Sequence, residues 1–195
     1  MVPAKAAAHA RAAAALLLAL VLGGCARAAP TSAIPGQTAP DFTLTDQDGH
    51  PFTLSAQRGM AVVLFFGYTH CPDVCPATLA KVERAVTRLG PNAARVRVVF
   101  VSVDPERDRP SVLRRFVRLF GNDVVGLSGS ERSLAPVERA YHVWHQRLPS
   151  KSAAGHLVAR SSEIYLVDSG GRLVSLVDWT DSPGSLAADL RKSLS

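Results

Sequence analysis

The chain has 195 residues, of which 47% are apolar and 19% are charged, and its 22 Lys and Arg against 16 Asp and Glu give a formal charge of +6. This length fits one globular domain with an appendage, and the composition excludes a disordered chain, a coiled coil and a collagen-like protein. The basic residues are scattered and form no aromatic-interleaved patch, which argues against nucleic-acid binding. Three cysteines are too few for a disulfide-rich scaffold or a four-thiolate zinc site. Their roles must therefore be inferred from their positions in the chain.

The first 24 residues are typical of an export signal. Lys5 and Arg11 precede an apolar run at 12–22, which is too short to cross a bilayer but matches the apolar part of a signal peptide. The segment Leu22-Gly23-Gly24-Cys25 resembles a bacterial lipobox, and this predicts a lipidated Cys25 that anchors the protein in the cell envelope, facing the periplasm or the outside. The alternative is an ordinary secretory signal that happens to contain a cysteine.

The segment after the anchor is predicted to be a tether. Residues 26–39 include Pro30, Pro35 and Gly36 among small and polar residues and show no hydrophobic period. The sequence therefore predicts a signal peptide at 1–24, a lipidated cysteine with a flexible linker at 25–39, and a folded domain at 40–195.

Strand and helix patterns alternate from residue 40 onwards. Strands are predicted at 42–44, 52–54, 61–66, 95–103, around 124, at 162–167 and 172–177, and helices at 76–89, 109–120, 134–141 and the C-terminus. The apolar runs at 61–66 and 95–103 are typical of strands that are buried on both faces. The element order predicts an α/β fold in which one mixed sheet is sandwiched between helices, the thioredoxin-like plan.

The residues with the most distinctive chemistry lie at 67–76, GYTHCPDVCP, where a buried strand joins a helix. Open α/β sheets bind ligands at such strand ends. Pro76 suits the first helical turn, which places Cys75 at or next to the N-cap, and the helix dipole is then expected to lower the pKa of Cys75. Pro72 and Pro76 also restrict the residues before them, so the cysteines are held by stiffened backbone.

Three residues separate Cys71 from Cys75. This spacing is compatible with a reversible disulfide and with joint binding of one soft metal ion. A purely structural disulfide is the alternative in an exported protein, but closing so short a loop stabilises little. The pair is therefore predicted to be functional, either as a redox-active disulfide or as a metal site.

The segment FFGYTHCPDVCP at 65–76 closely resembles the Sco/SenC family of exported thioredoxin-fold proteins, which are implicated in copper delivery to cytochrome c oxidase and in thiol redox chemistry. The resemblance extends to APDFTL at 39–44, VSVDPERD at 101–108 and IYLVD at 164–168. It implies that Cys71 and Cys75 bind a copper ion and can also cycle to a disulfide. Soft thiolates do favour Cu(I).

The chain departs from this family at one position. The family's third copper ligand is a histidine a few residues before the Tyr-Leu strand, and Arg160 stands there in this sequence. A guanidinium stays protonated and cannot be a ligand. His156 is the weak substitute candidate, but in an extended segment it would lie ~13 Å from position 160. A two-thiolate Cu(I) site is therefore expected, with Arg160 bringing a positive charge towards the cysteines that lowers their pKa.

Other polar residues carry weaker signals. His142 and His145 are too loosely spaced for a metal pair and are predicted to be surface or packing residues, and His70 is either a solvated loop residue or a modulator of Cys71. Asp104 and Asp108 follow a strand and precede a helix, where turn formation and capping would account for them.

Two functions of different classes follow from these residues. The first is a membrane-tethered copper chaperone that passes Cu(I) from Cys71 and Cys75 to a cytochrome c oxidase subunit. The second is a thiol-disulfide oxidoreductase that acts on the cysteines of another thiol protein, with one thiolate attacking and the other resolving the mixed disulfide. The second is favoured by Arg160 at the position of the family's histidine ligand.

Overall fold

The computed structural model describes residues 33–121, 123–150 and 155–194. The predicted signal peptide and Cys25 lie outside these residues. No helix within the described ranges is both long enough and apolar enough to cross a membrane.

A mixed sheet of seven strands forms the centre of the domain. The strands within the described residues are β1 (Thr43–Asp46), β2 (Pro51–Thr53), β3 (Ala61–Gly67), β4 (Val96–Ser102), β5 (Val124–Ser128), β6 (His145–Pro149), β7 (His156–Arg160), β8 (Ile164–Val167) and β9 (Leu173–Val177). Seven of them form the sheet in the order β2-β1-β5-β4-β3-β8-β9, while β6 and β7 form a separate hairpin. In the sheet, β3, β4 and β5 are parallel and the other pairs are antiparallel.

Four α-helices of the described residues accompany the sheet: α1 (Val74–Thr87), α2 (Pro110–Val117), α3 (Glu131–Ala140) and α4 (Pro183–Ser193). Helices α1 and α4 pack against each other, and α2 packs against β5. The predicted fold class, a mixed sheet sandwiched between helices, is confirmed.

The centre of the sheet positions the cysteine segment. Every residue of β3 is buried, which agrees with its unbroken apolar sequence. Because β3 and β4 are parallel and in register from Ala61↔Val96 to Gly67↔Ser102, both strands end at the same edge of the sheet. The loops that follow them, at 68–73 and 103–109, therefore meet at that edge.

The predicted linker is wrong over its last part, because the chain is already packed from Ala33 onwards. Ala33 is only 6% exposed to solvent, and its N–H donates to the carbonyl of Ala140 at 2.6 Å. The N–H groups of Gly36 and Ala39 donate to carbonyls of the segment around β9, at 2.6 and 3.0 Å. Backbone hydrogen bonds to a strand need no hydrophobic period, so the sequence pattern did not reveal this contact.

The hairpin of β6 and β7 was not predicted either. It is antiparallel from His145↔Arg160 to Pro149↔His156, and most residues of β6 are exposed. An exposed strand lacks the alternation of apolar and polar residues by which strands are recognised. The hairpin matters for function because β7 ends at Arg160.

Candidate functional site

The two cysteines of the predicted site lie where β3 ends and α1 begins. The Cys71 N–H donates to the carbonyl of Tyr68 at 3.3 Å, and the Cys75 N–H donates to Cys71 Sγ at 3.3 Å. Both cysteines are free thiols, and their side chains hydrogen-bond to each other. The loop thus brings the two sulfurs to one point, an arrangement suited to binding one ion between them or to forming a disulfide.

The pKa of Cys75 shifts in the direction opposite to the one that the sequence predicted. Helix α1 begins at Val74, with Asp73 as its N-cap, so Cys75 lies inside the first turn. The Cys75 side chain is fully buried, and burial raises its pKa far above the usual value. The expectation of a lowered pKa at this position is wrong, because removal of the thiolate from water outweighs the favourable field of the helix terminus.

The other cysteine is the thiolate of the pair. Cys71 is partly exposed, and its pKa is lowered to about 5, chiefly because the Cys75 thiol donates a hydrogen bond to its sulfur. The backbone N–H groups of Cys75 and Asp73 and the charge of Arg160 lower it further, against the opposing effect of burial. At neutral pH the site therefore contains one accessible thiolate and one buried thiol.

Arg160 reaches the cysteine pair from the end of β7. Its Nη2 donates to Cys75 Sγ at 2.8 Å, and its Nη1 donates to the carbonyl of Ser161 at 2.7 Å. The guanidinium carbon also lies 4.8 Å from the centre of the Phe65 ring, a cation–π contact with β3. The expectation that Arg160 directs its charge at the cysteines is confirmed, and this charge lowers the pKa of both thiols even though burial dominates at Cys75.

His156 lies at the other end of β7 and has a different neighbour. Its Nε2 is 3.2 Å from Asp104 Oδ2, and its carbonyl accepts a hydrogen bond from Arg107 at 2.9 Å. Because β7 is extended, His156 lies ~13 Å along the strand from position 160 and does not replace the missing ligand. Across the described part of the chain, no group of three or more His, Cys, Asp and Glu side chains is arranged to hold a metal ion.

Two buried carboxylates after β4 organise this edge of the sheet, and their role was not predicted. Asp108 is fully buried and accepts hydrogen bonds from the Thr69 N–H at 3.0 Å, from Thr69 Oγ1 at 2.6 Å and from Ser102 Oγ at 2.6 Å. The equally buried Asp104 pairs with Arg107 and His156. Neither carboxylate caps α2, whose N-cap is Arg109. Asp108 instead fixes the backbone two residues before Cys71.

His70 and His145 lie beside carboxylates, and His142 lies at the surface of the domain. His70 Nδ1 lies 3.0 Å from Thr69 Oγ1 and 3.7 Å from Asp108 Oδ1. His142 is exposed, and His145 Nδ1 lies 3.5 Å from Glu138 Oε1. These surroundings agree with the prediction that His142 and His145 are surface or packing residues.

A groove of about 320 Å³ opens beside Cys71. Its apolar wall combines the cysteine loop with the hairpin, through Tyr68, Pro72, Val74, Leu148, Leu157 and Val158. Tyr68 also joins these two walls directly, because its hydroxyl accepts a hydrogen bond from the Val158 N–H at 3.2 Å. The thiolate of Cys71 is therefore accessible from a groove that another protein surface could enter.

Comparisons with known proteins agree with this architecture. The family model described as SCO1/SenC matches residues 31–195. The mitochondrial protein SCO2 homolog from Mus musculus is 33% identical to this chain over 156 residues, which are 79% of this chain and 61% of that protein. The chain therefore spans less than two thirds of the length of this relative.

Solved structures give the same assignment. Bradyrhizobium japonicum ScoI with copper bound superimposes with a TM-score of 0.73 at 37% identity, covering 80% of this chain and 99% of that one. A SCO1/SenC family lipoprotein from Bacillus anthracis has a TM-score of 0.67 at 25% identity, covering 82% and 96%. The predicted thioredoxin-like fold is confirmed. Since the matched region includes the whole described domain, this chain belongs to the SCO1/SenC family.

Proposed function

We propose that this chain is an exported, membrane-tethered protein that binds Cu(I) through Cys71 and Cys75 and delivers it to cytochrome c oxidase. The observation that carries the proposal is the convergence of two soft sulfur donors. Cys71 is an accessible thiolate, and Cys75 is buried behind it. Similarity to the copper-bound ScoI of Bradyrhizobium japonicum supports copper as the cargo. The lipobox-like segment ending at Cys25, and the likeness to a Bacillus anthracis lipoprotein, support the tether.

The charges at the site fit a Cu(I) ion between two thiolates. Binding of the ion requires Cys75 to lose its proton, since a thiolate is the ligand. Two thiolates and one Cu(I) carry a net charge of minus one, which the Arg160 guanidinium beside Cys75 Sγ balances. A compensating positive charge is needed because Cys75 is buried, where an unpaired charge is costly.

A second function, thiol-disulfide oxidoreductase, is favoured by the unequal environments of the two cysteines. The accessible Cys71 thiolate would attack a disulfide of a partner protein and form a mixed disulfide, releasing one partner thiolate. Cys75 would then lose its proton and attack Cys71 Sγ, which releases the second partner thiolate and leaves the Cys71–Cys75 disulfide. The partner is reduced and the pair is oxidised by the same two electrons.

A Cu(I) competition titration of the reduced chain under anaerobic conditions tests the first function. One Cu(I) should bind per chain with both thiols protected from alkylation, and Cys71→Ser and Cys75→Ser should each lose this binding. His156→Ala is the matched control, and it should keep the wild-type affinity because His156 faces Asp104. Free alkylation of both thiols in the presence of stoichiometric Cu(I) would exclude the copper site and leave the oxidoreductase.

A further inference from the structure

Among the described residues, no third metal ligand joins the cysteine pair, and a group that cannot bind metal occupies the space beside it. Arg160 Nη2 lies 2.8 Å from Cys75 Sγ, which shows that the arginine side chain at position 160 reaches the sulfur. The guanidinium is held there by Ser161 and by the Phe65 ring. The histidine that lies on the same strand, His156, is turned to Asp104.

We propose that the cysteine pair reduces Cu(II) to Cu(I) instead of storing Cu(II), and that Arg160 determines this outcome by filling the position of a nitrogen ligand. This inference rests on the proposed function, because it requires copper to reach Cys71 and Cys75.

The reason lies in what each oxidation state of copper needs. Cu(II) is stabilised by nitrogen and oxygen ligands in a tetragonal arrangement, whereas soft thiolates select Cu(I). The ligands that Cys71 and Cys75 offer are sulfur atoms. Arg160 adds a fixed positive charge beside them but no ligand atom. That charge opposes a dication twice as strongly as it opposes a monocation at the same distance. Both effects favour transfer of an electron from sulfur to the metal.

The reaction balances with the two cysteines as the only reductant. The Cys71 thiolate and the Cys75 thiol each give up one electron and join in a disulfide bond, and the proton of Cys75 passes to solvent. Two Cu(II) ions each accept one electron and become Cu(I). The oxidised pair has no thiolate left to bind metal, so both Cu(I) ions are released until an external dithiol restores the cysteines.

The test adds cupric ion to the reduced full-length chain without oxygen and in the presence of a Cu(I)-specific chromogenic chelator. The Cu(II) electron paramagnetic resonance signal should disappear, two Cu(I) should be trapped per chain, and both thiols should become resistant to alkylation until reductant is added. Cys71→Ser should abolish this stoichiometry, because no intramolecular disulfide can form.

Variants at position 160 separate the missing ligand from the charge. Arg160→His should retain a lasting Cu(II) signal, because a nitrogen ligand then lies beside Cys75. Arg160→Lys supplies no imidazole and keeps the charge, so it should reduce Cu(II) as the wild type does. Arg160→Gln also supplies no imidazole but removes the charge, so it should reduce Cu(II) more slowly and still release two Cu(I) per chain. Circular dichroism and the Cu(I) titration on each variant establish that it is folded and that the thiols are intact.

Two results would overturn the inference. One is a wild-type chain that holds Cu(II) with a lasting resonance signal, and the other is loss of reduction in Arg160→Gln to the same degree as in Arg160→His. A wild-type chain that binds Cu(I) in the titration but keeps Cu(II) unreduced would refute this inference alone. A chain that binds no Cu(I) would instead refute the proposed function.

Discussion

At the scale of single residues, Cys71 and Cys75 differ because one is partly exposed and the other is enclosed by the core. The same hydrogen bond acts on them in opposite directions, since it stabilises the thiolate of its acceptor, Cys71, and the thiol of its donor, Cys75. This division of roles suits a pair in which one sulfur meets the incoming ion or disulfide and the other completes the reaction.

The first prediction concerns the pH dependence of Cys71. Because its pKa is lowered to about 5, the thiolate should persist from neutral pH down to that value. Alkylation of the reduced chain by iodoacetamide should be independent of pH above about pH 6 and should fall roughly tenfold per unit below pH 5. Peptide mass spectrometry should find Cys71 modified long before Cys75. A midpoint near the ordinary thiol value of about 8.5, or earlier modification of Cys75, would contradict the assignment.

The second prediction concerns Asp108, which accepts three hydrogen bonds although it is fully buried. Asp108→Asn keeps the shape but replaces one acceptor oxygen with a donor, so the free energy of unfolding should fall by about 1.5–3 kcal/mol. The loosened Thr69 backbone should also raise the alkylation midpoint of Cys71. Urea unfolding and the iodoacetamide profile measure the two effects.

Asp178 provides the matched control for this substitution. It also accepts hydrogen bonds from a threonine, Thr180, but at an exposed loop. Asp178→Asn should leave the urea unfolding midpoint and the Cys71 profile unchanged, because its hydrogen bonds lie in an exposed loop. Equal effects of the two substitutions would mean that Asp108 does not position the cysteine loop.

At the scale of elements, the site depends on close packing between the end of β3 and the first turn of α1. A Cβ atom on Gly67 would lie 2.5 Å from the Phe100 ring and 3.1 Å from Cys75 Sγ. Because Gly67 has no side chain, the Cys75 sulfur fits beside it. The hairpin of β6 and β7 completes the site from the other side, and since an isolated two-stranded hairpin is marginal in water, its contacts through Tyr68 and Arg160 hold it in place.

The third prediction follows from this packing. Gly67→Ala should lower the free energy of unfolding by about 1–3 kcal/mol through overpacking, and it should weaken Cu(I) binding because Cys75 Sγ must move. Gly184→Ala is the control, since its added Cβ would meet only side-chain atoms at 3.7 Å. In the first turn of α4 it should be neutral or stabilising by up to about 1 kcal/mol. If Gly67→Ala keeps the stability and the Cu(I) affinity of the wild type, the neighbouring side chains accommodate the added methyl group and the prediction is wrong.

At the scale of the whole molecule, the packed N-terminal segment limits the reach of the proposed tether. Because Ala33 already contacts the domain, only residues 26–32 separate that contact from Cys25. Even a fully extended chain from Cys25 to Ala33 covers no more than about 29 Å. If Cys25 is lipidated, as we propose, the folded domain therefore begins within that distance of the membrane surface.

The fourth prediction tests this anchor. Cys25→Ala should move the protein from the membrane fraction to the soluble fraction of fractionated cells, because the substitution removes the acylated side chain. Cys71→Ser serves as the control, and it should remain with the membranes as the wild type does. Cosedimentation of the Cys25→Ala protein with membranes to the wild-type extent would refute the lipid anchor.

Apart from β6 and β7, the order of strands and helices from β1 to α4 was predictable because local sequence patterns encode it. The buried strands β3 and β4 are continuous apolar runs, and the helices have their apolar residues at helical spacing. The proximity of Cys71 and Cys75 was predictable for the same reason, because they are separated by a short turn. The hairpin of β6 and β7 and the packing of 33–39 were not, since both depend on backbone pairing between distant segments.

The sequence by itself determined the family, the α/β fold, the pair of thiols and the presence of an arginine where a histidine ligand was expected. Only the tertiary structure decided which thiol is ionised, because burial depends on what packs around Cys75. It also decided that Arg160 meets Cys75 Sγ and that Asp108 holds the loop before Cys71. Local sequence determines which elements form, whereas the energy of a charge depends on its surroundings, and those come from residues that are far apart in the chain.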